Sequence, residues 1–461
     1  MTCVFIFRRD LRLVDNLGLL EATQNYDTVL PCFIFTPEQI TEKNQFRSHN
    51  AIQFMCESLQ ELDGELRTRN SQLHYFQGEN IKVLDSIHQD LHKSGKKLDA
   101  IVCNQDYTPY AKKRDSEIEK WCQSNEVKCH LVEDYLLAPV GSIVKGDGNP
   151  YTVFTPFKNT GFKVKVAKVN RKLATNFGKF KFSKSLDKII SYQKNENILV
   201  SGGRMLGKKQ MQKLKNQNQY NTTRNSLSLE TSHLSAYLKF GCVSIREVYH
   251  KIKKLYGLQN NLLDQLFWRE FYFYIAHYFP QVLKGKNYNP KYDKVKWTVN
   301  KVKFEKWCQG KTGFPVVDAG MRQLNDTGYM HNRARLITSN FLNRMLGMDW
   351  RLGEKYFAQM LTDYDPSVNN GNWQWIASTG TDPKPYFQRL FNPMLQSQKF
   401  DSDASYIKKW LPELEEVPAK HLHDWNKHYS NYNLAELNYV APIVDYKEAR
   451  KESVEMYRAV L

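Results

Sequence analysis

The chain has no CxxC pair and no regular cysteine framework. Its eight cysteines, Cys3, Cys32, Cys56, Cys103, Cys122, Cys129, Cys242 and Cys308, are scattered. That spacing excludes a disulfide scaffold and a zinc ribbon, and it points to reduced thiols in an intracellular compartment. Histidines are badly placed for a metal. His88 and His92 stand i, i+4, and His421, His423 and His428 cluster late, but neither group has cysteines or carboxylates at ligand spacing. Surface or capping roles fit them better. No apolar run like that of a signal peptide opens the chain, and no segment is long and apolar enough to span a bilayer. No GxGxxG follows the first strand-like run, so a nicotinamide site of Rossmann type has no support. No short-period repeat is evident. The expectation is a soluble, intracellular monomer of cytoplasm or nucleus, without a membrane partner.

Positive charge and aromatic rings are in surplus. Lys and Arg number 66 against 48 acids, a formal net charge of +18. Such an excess favours a polyanionic partner, nucleic acid first, although a merely soluble basic protein has the same balance. Aromatics at 13% suit stacking on bases or on a flat cofactor, and core packing uses aromatics too.

A length of 461 residues predicts two domains. Cys3–Phe7, Val29–Phe35, Leu73–Phe76, Ala100–Cys103 and Cys129–Val132 read as strands, and Ile52, Met55, Leu59, Leu62 and Leu66 repeat between them at helical spacing. Alternating strand and helix predicts an α/β domain over residues 1–135, with a doubly wound parallel sheet. Residues 136–199 read as a linker. It is Gly/Pro-punctuated from Pro139 to Pro156, then basic and weakly periodic from Lys158 to about Ser183. The Lys-, Gln- and Asn-rich run Lys208–Thr223 reads as equally extended and mobile. From about Ser232 helical periodicity dominates, with Leu262, Leu266 and Phe273 on apolar faces. Residues 200–461 are therefore expected to form an all-α domain able to bury a ligand between helices. The chain stops soon after the last helical pattern, with no long tail.

The densest chemistry lies at Asn369-Asn370-Gly371-Asn372-Trp373-Gln374-Trp375, behind Asp363 and Asp365 and ahead of Ser378-Thr379-Gly380-Thr381-Asp382. Indoles stack on flat ligands, and amides and carboxylates bond their polar edges. On spacing alone, a polar helix start with two buried anchors explains the run as well. Thr231, Ser232, Leu234 and Ser235 precede a helical pattern. Hydroxyls and free amides at a helix N-terminus suit a phosphate, and equally an ordinary cap.

The Asn369–Trp375 run resembles the flavin-facing segment of the photolyase/cryptochrome family, and further blocks recur in that family's order. They are Phe7-Arg8-Arg9-Asp10-Leu11-Arg12, Val153-Phe154-Thr155-Pro156-Phe157, Thr231-Ser232-His233-Leu234-Ser235 and Trp268-Arg269-Glu270-Phe271-Tyr272. Gly310-Lys311-Thr312-Gly313-Phe314-Pro315, Asp318-Ala319-Gly320-Met321-Arg322, Met330-His331-Asn332-Arg333 and Phe391-Asn392-Pro393 follow. One such tripeptide is weak; all of them in order are specific. The chain is most similar to class I cyclobutane pyrimidine dimer photolyases, over nearly its whole length.

The resemblance implies FAD as cofactor. Thr231, Ser232, Leu234 and Ser235 match residues at the pyrophosphate, Tyr220 a tyrosine supporting the cofactor, and Arg269 an arginine at the phosphates. Asp363 and Asp365 match contacts to the isoalloxazine edge and the ribityl chain. Arg335 matches the arginine that pairs with Asp363, a charge balance suited to a reduced anionic flavin. Asn369 matches the residue facing N5. Trp373, Trp350 and Trp307 match an electron path from flavin to surface. The implied partner is damaged DNA, with Trp268 and Trp375 around a lesion turned out of the duplex and Asn332 beside it. That extrusion belongs to photolyases as a class and is not deduced from spacing. Arg224, Arg333 and Arg389 match phosphate clamps.

Departures from the family pattern bear on the substrate. Gln265 stands where cyclobutane-dimer enzymes usually carry Glu, as in (6-4) enzymes and animal cryptochromes. Asn332 and Leu336 stand where (6-4) enzymes place a His pair, so their proton-transfer chemistry lacks its acid. Leu336 also replaces a usual Met, and Leu262 a Trp found in many bacterial relatives. Leu283 and Thr108 replace the Cys and Glu of folate-binding relatives, which leaves a second antenna chromophore, of folate or deazaflavin type, open. The expected activity is light-driven repair of cyclobutane pyrimidine dimers by electron transfer from reduced FAD, a carbon–carbon lyase step. A blue-light sensor of cryptochrome type with FAD but no repair, and a (6-4) photolyase, stand as alternatives. Gln265 favours the sensor; Asn332, the positive charge and the missing tail oppose it.

Overall fold

The computed structural model describes all residues except 181, 183–184, 382–388 and 461. Ser183 and Asp382, used above, lie outside the described residues. Five parallel strands form one sheet: β1 (Thr2–Phe7), β2 (Thr28–Phe35), β3 (His74–Gln77), β4 (Leu98–Asn104) and β5 (Lys128–Val132). Their order is β3-β2-β1-β4-β5. Central β1 is buried at every position and reads as one continuous apolar run, as a strand covered on both faces must. Four helices alternate with the strands: α1 (Leu17–Asn25), α2 (His49–Arg67), α3 (Asn80–Lys93) and α4 (Pro109–Ser124). Asn16, Ser48 and Thr108 cap three of them by accepting backbone N–H bonds. The doubly wound sheet is present, and each expected strand has its counterpart in it, the third beginning at His74 and not at Leu73.

Contacts divide the chain differently from the expected boundaries. One compact unit comprises Met1–Lys194, Val200–Asn216 and Ser232–Pro280; the other comprises Asn195–Leu199, Gln217–Thr231 and Gln281–Leu461. The first unit extends past the α/β segment because buried charges hold later helices to it. Arg246, on α6 (Ile245–Tyr256; α5 is Phe154–Gly161), donates to Asp15 at 3.0 Å and to Asp134 at 2.6 Å, and Arg12 pairs with Asp134. Glu270, on α7 (Asn261–Tyr278), accepts from the Leu137 N–H at 3.0 Å.

The segment read as a linker is folded onto this unit. Phe157 is fully buried, Val29 N–H donates to Asn176 O at 2.8 Å, and Arg69 donates to Ala174 O at 2.8 Å. Nor is the Lys208–Thr223 run extended: helices cover Arg204–Lys213 and Tyr220–Thr223. Its anchors lie just upstream of the polar residues. Arg204 makes two bonds to Glu247, at 3.0 and 2.8 Å, and Gly207 sits where a Cβ would fall 2.9 Å from the Tyr237 ring.

The second unit is helical: α8 (Lys301–Cys308), α9 (Pro315–Thr327), α10 (Asn332–Asn340), α11 (Trp350–Met360), α12 (Pro366–Ile376) and α13 (Tyr446–Arg458) are its main elements. Its core gathers Trp307, Trp350, Trp373 and Trp425. The Gly310–Arg322 blocks are structural there. The buried carboxylate of Asp318 accepts from Thr312 N and Oγ1, Gly313 N and the Tyr439 hydroxyl. Gly313 has φ +72°, and a Cβ would meet Ala441 O at 2.4 Å, so only glycine fits. Among the described residues no helix is long and apolar enough to cross a membrane.

Candidate functional site

In the second unit a carboxylate is half satisfied. Arg335, on α10, donates through Nη2 to Asp363 Oδ2 at 2.9 Å and through Nε to Met330 O at 2.8 Å. Asp363 Oδ1 is buried and has no hydrogen-bond partner among the described residues, and the neighbouring Thr362 Oγ1 is in the same state. Burial works against the Arg335 charge, but Asp363 outweighs it and raises the guanidinium pKa. An unmet acceptor of this kind is costly unless a ligand supplies the donor.

Two residues further on, the carboxylate of Asp365 caps α12, accepting from Ser367 N at 3.0 Å and Val368 N at 3.3 Å, with Pro366 in the first turn. Asn369 Nδ2 donates to Glu354 O at 3.0 Å, and Asn370 Nδ2 to Glu354 Oε1 at 2.8 Å. Gln374 continues the network, bonding Asn370 Oδ1 and Tyr288 N. Burial pushes the Glu354 carboxyl up to about 7. Sequence reasoning missed Glu354; its position one helical turn after Trp350, on a face turned to the core, was the available signal.

Thr231 Oγ1 lies 3.2 Å from the Tyr329 hydroxyl. Tyr220 is buried, which pushes its hydroxyl up to about 12. Arg333 is held by Asn225 Oδ1 at 2.8 Å and stands 4.3 Å over Phe400. Burial first, and then the charge of Arg224, lower its pKa to about 10, so it stays cationic at neutral pH. Asn332 is exposed at the start of α10. Trp375 is half-buried, with the Arg389 guanidinium 4.2 Å over its ring.

The expected indole path needs one correction. Trp373 is buried, and its ring centre is 6.4 Å from that of Trp307, with Phe357 against both. Trp350 is fully buried and donates to Asn287 Oδ1 at 3.0 Å. Trp307 is 0% exposed and its Nε1 donates to Thr338 O at 3.0 Å, so it cannot be the surface end of any path. Two partly exposed indoles pack on the same core, Trp297 and Trp410, and Trp297 lies 6.0 Å from the Tyr457 ring. Trp297 lies in a lysine-rich stretch, a sign of solvent contact that sequence reasoning passed over.

The remaining expected residues lie in the first unit. Ser232 and Leu234 precede a helix of only five residues, Ser235–Lys239, and no side chain caps it. The first unit's Trp268 stacks on Phe154 with ring centres 3.6 Å apart and planes within 6°, so one of its faces is taken. Gln265 Nε2 bonds Asn261 O within its own helix, at 3.0 Å. Arg269, expected at phosphates, donates to Tyr135 O at 3.1 Å and stacks 4.0 Å over the Tyr135 ring. Its neighbour Glu270 is buried, which pushes that carboxyl up to about 8. Among the described residues, no group of three or more His, Cys, Asp or Glu could hold a metal.

Residues 3–171 match the family described as DNA photolyase, and residues 262–459 the FAD binding domain of DNA photolyase. The chain belongs to the DNA photolyase family. The deoxyribodipyrimidine photo-lyase of Escherichia coli K12 is 35% identical, covering 98% of each chain. That of Buchnera aphidicola subsp. Acyrthosiphon pisum is 36% identical, covering 98% of this chain and 96% of its own. The archaeal photolyase of Sulfolobus tokodaii, solved with two FAD molecules, has a TM-score of 0.88 and 39% identity over 100% of both chains. A class III photolyase from Agrobacterium tumefaciens gives 0.90 and 29%, covering 100% of this chain and 97% of its own. A Synechocystis cryptochrome at 24% identity and 0.88 shares the fold; fold alone does not separate repair from sensing. As a member of this family the chain is a photolyase-type DNA-repair enzyme with FAD as cofactor, and the unmet Asp363 oxygen beside its paired arginine fits such a group.

Proposed function

We propose that the protein repairs cyclobutane pyrimidine dimers with light, using FAD held by the helical region 200–461. The observation that carries this reading is Asp363, with one oxygen on Arg335 at 2.9 Å and the other buried without a partner among the described residues. FAD bound there would, when fully reduced and excited by near-ultraviolet or blue light, supply the reversible one-electron chemistry that splitting a cyclobutane ring needs. Arg335 and Asp363 set the charge beside the ring. Asn369, its amide nitrogen fixed on Glu354 O, presents its oxygen to the cofactor. Thr231, Ser232, Leu234, Ser235 and Tyr220 serve the phosphate end, while Arg269 serves by bracing Tyr135.

On the substrate side Trp268 offers the face that Phe154 does not cover, and Trp375 stands with the Arg389 guanidinium over its ring. Gln265 and Asn332 bond the lesion edges, and Arg224 and Arg333 hold backbone phosphates; Arg389, expected as a third clamp, is 2% exposed and braces Trp375 instead. The electron path that keeps the enzyme reduced uses Trp373 and Trp350 and ends at Trp297 in place of Trp307. Residues 1–135 serve as an antenna domain. The strand order reverses direction between β1 and β4, where doubly wound sheets take ligands. Arg114, near that point, has a buried Nη2 without a hydrogen-bond partner among the described residues. A second flat chromophore fits there, a folate, a deazaflavin or a second flavin.

Gln265 keeps the light-sensor reading as the second one. Illuminating reduced protein with DNA duplexes carrying one cyclobutane dimer, or one (6-4) product, decides between them. Repair of the dimer alone is expected. Repair of the (6-4) product alone overturns the lesion assignment. Inactivity on both, with normal flavin photoreduction, makes the protein a sensor.

A further inference from the structure

Residues 294–306 carry five lysines, Lys294, Lys296, Lys301, Lys303 and Lys306, against one acid, Glu305. Two valines stand exposed among them, Val299 at 95% and Val302 at 63%. Their exposure is built in. Thr298 N–H donates to Gly347 O at 2.8 Å just before Val299, and Asn300 caps α8 just after it, accepting from Lys303 N at 2.9 Å. Val295 and Trp297 turn inward from the same short segment, Val295 buried and Trp297 half-buried against Tyr457. Beside them opens a cavity of about 630 Å³, lined by Lys294, Lys296, Arg344, Glu452, Glu455 and Met456 among others.

We propose that this face docks an acidic redox protein that feeds electrons to Trp297, an inference that rests on the electron path proposed above. An apolar centre flanked by five lysines, in excess over Glu305, Glu452 and Glu455, fits a small, transient protein interface of opposite charge. The cavity gives the partner's side chains a recess. A duplex would use the lysines but has no use for two exposed valines held in place. The indole behind them supplies the reason for contact. The partner is a one-electron donor of iron–sulfur or flavin type. One electron passes from its reduced centre to the Trp297 radical cation, which returns to neutral indole; the donor is oxidised by one electron, and no bond forms or breaks.

Flash photolysis of the FAD-loaded protein tests this, following the indole radical with reduced flavodoxin as acidic probe and dithiothreitol as uncharged probe. With flavodoxin the radical should decay faster at low salt than at high salt. Lys296→Glu combined with Lys301→Glu should slow that decay by about tenfold or more, with the dithiothreitol rate unchanged. Equal flavodoxin rates for variant and parent overturn the docking site alone. A tenfold loss of duplex DNA binding in the variant, with the flavodoxin rate intact, assigns the face to DNA and also overturns it. Absence of any indole radical in the parent refutes the electron path, and the proposal falls with it.

Discussion

Gly353 lies so close to the Trp373 indole that a Cβ on it would fall 2.1 Å from Cη2 of the ring. Alanine at a helical glycine ordinarily gains about 1 kcal/mol. Here the added methyl would overlap a buried ring that also packs on Phe357 and Trp307, with ring centres at 4.9 and 6.4 Å, and overpacking costs about 1–3 kcal/mol. Gly353→Ala should therefore lower the melting temperature and slow flavin photoreduction. An unchanged melting temperature would mean that the indole has room to move.

Asp363→Asn should release FAD. The substitution leaves Arg335 without its counter-charge, and removing one member of a buried pair costs about 3–5 kcal/mol, less here because the Arg335 side chain is 26% exposed. Flavin per chain, read from absorbance after gel filtration, should drop well below that of the parent. Full occupancy would place the cofactor's contacts elsewhere.

The indoles should separate by role. Trp373→Phe and Trp297→Phe should each slow photoreduction while chemically reduced enzyme still repairs. Trp307→Phe should mainly cost stability, since that ring is fully buried and its Nε1 bond to Thr338 O is lost. Photoreduction that fails in Trp307→Phe but survives in Trp297→Phe would restore the path expected from sequence.

Glu354 should make stability fall with rising pH. Burial raises its carboxyl from an ordinary 4.5 to about 7, so between those values the folded chain holds a proton that the unfolded chain has lost. Its contribution is complete below pH 4.5, is lost as pH rises to about 7, and is flat above. The size is on the order of 3 kcal/mol. Glu270 acts with the same sign, so the informative quantity is the difference between parent and Glu354→Gln in urea unfolding at pH 5 and pH 8. A difference that does not change with pH would place a charged carboxylate at Glu354 throughout.

Gln265→Glu should preserve or raise dimer repair and create no (6-4) activity, because Asn332 and Leu336 still replace the His pair. Loss of dimer repair in the variant, measured on a single-lesion duplex, would show that the amide is required.

The parallel sheet was legible because its strands are unbroken apolar runs set between periodic helices. The Arg335–Asp363 pair was legible through resemblance, since no local pattern joins residues 28 apart. Trp307 was placed on the path through resemblance alone; its burial fits the core anchor that a lone indole more often is, since exposure depends on what folds over the ring. The polar stretch after Lys208 was misread because its anchors, Arg204 and Gly207, precede it. Asp365 as a helix cap follows from the Asp-Pro pair that opens α12, a signal that spacing alone supplied.

Arg246 has a consequence for how the chain is made. Asp15 and Asp134 emerge from the ribosome well before their partner on α6. Until residue 246 is available, Asp134 has only Arg12 as its cationic partner, and the helix that covers both carboxylates is missing. A fragment ending at residue 199 contains the five strands of the sheet and is expected to unfold at lower urea than the whole chain, because it lacks Arg246 and the helix that carries it.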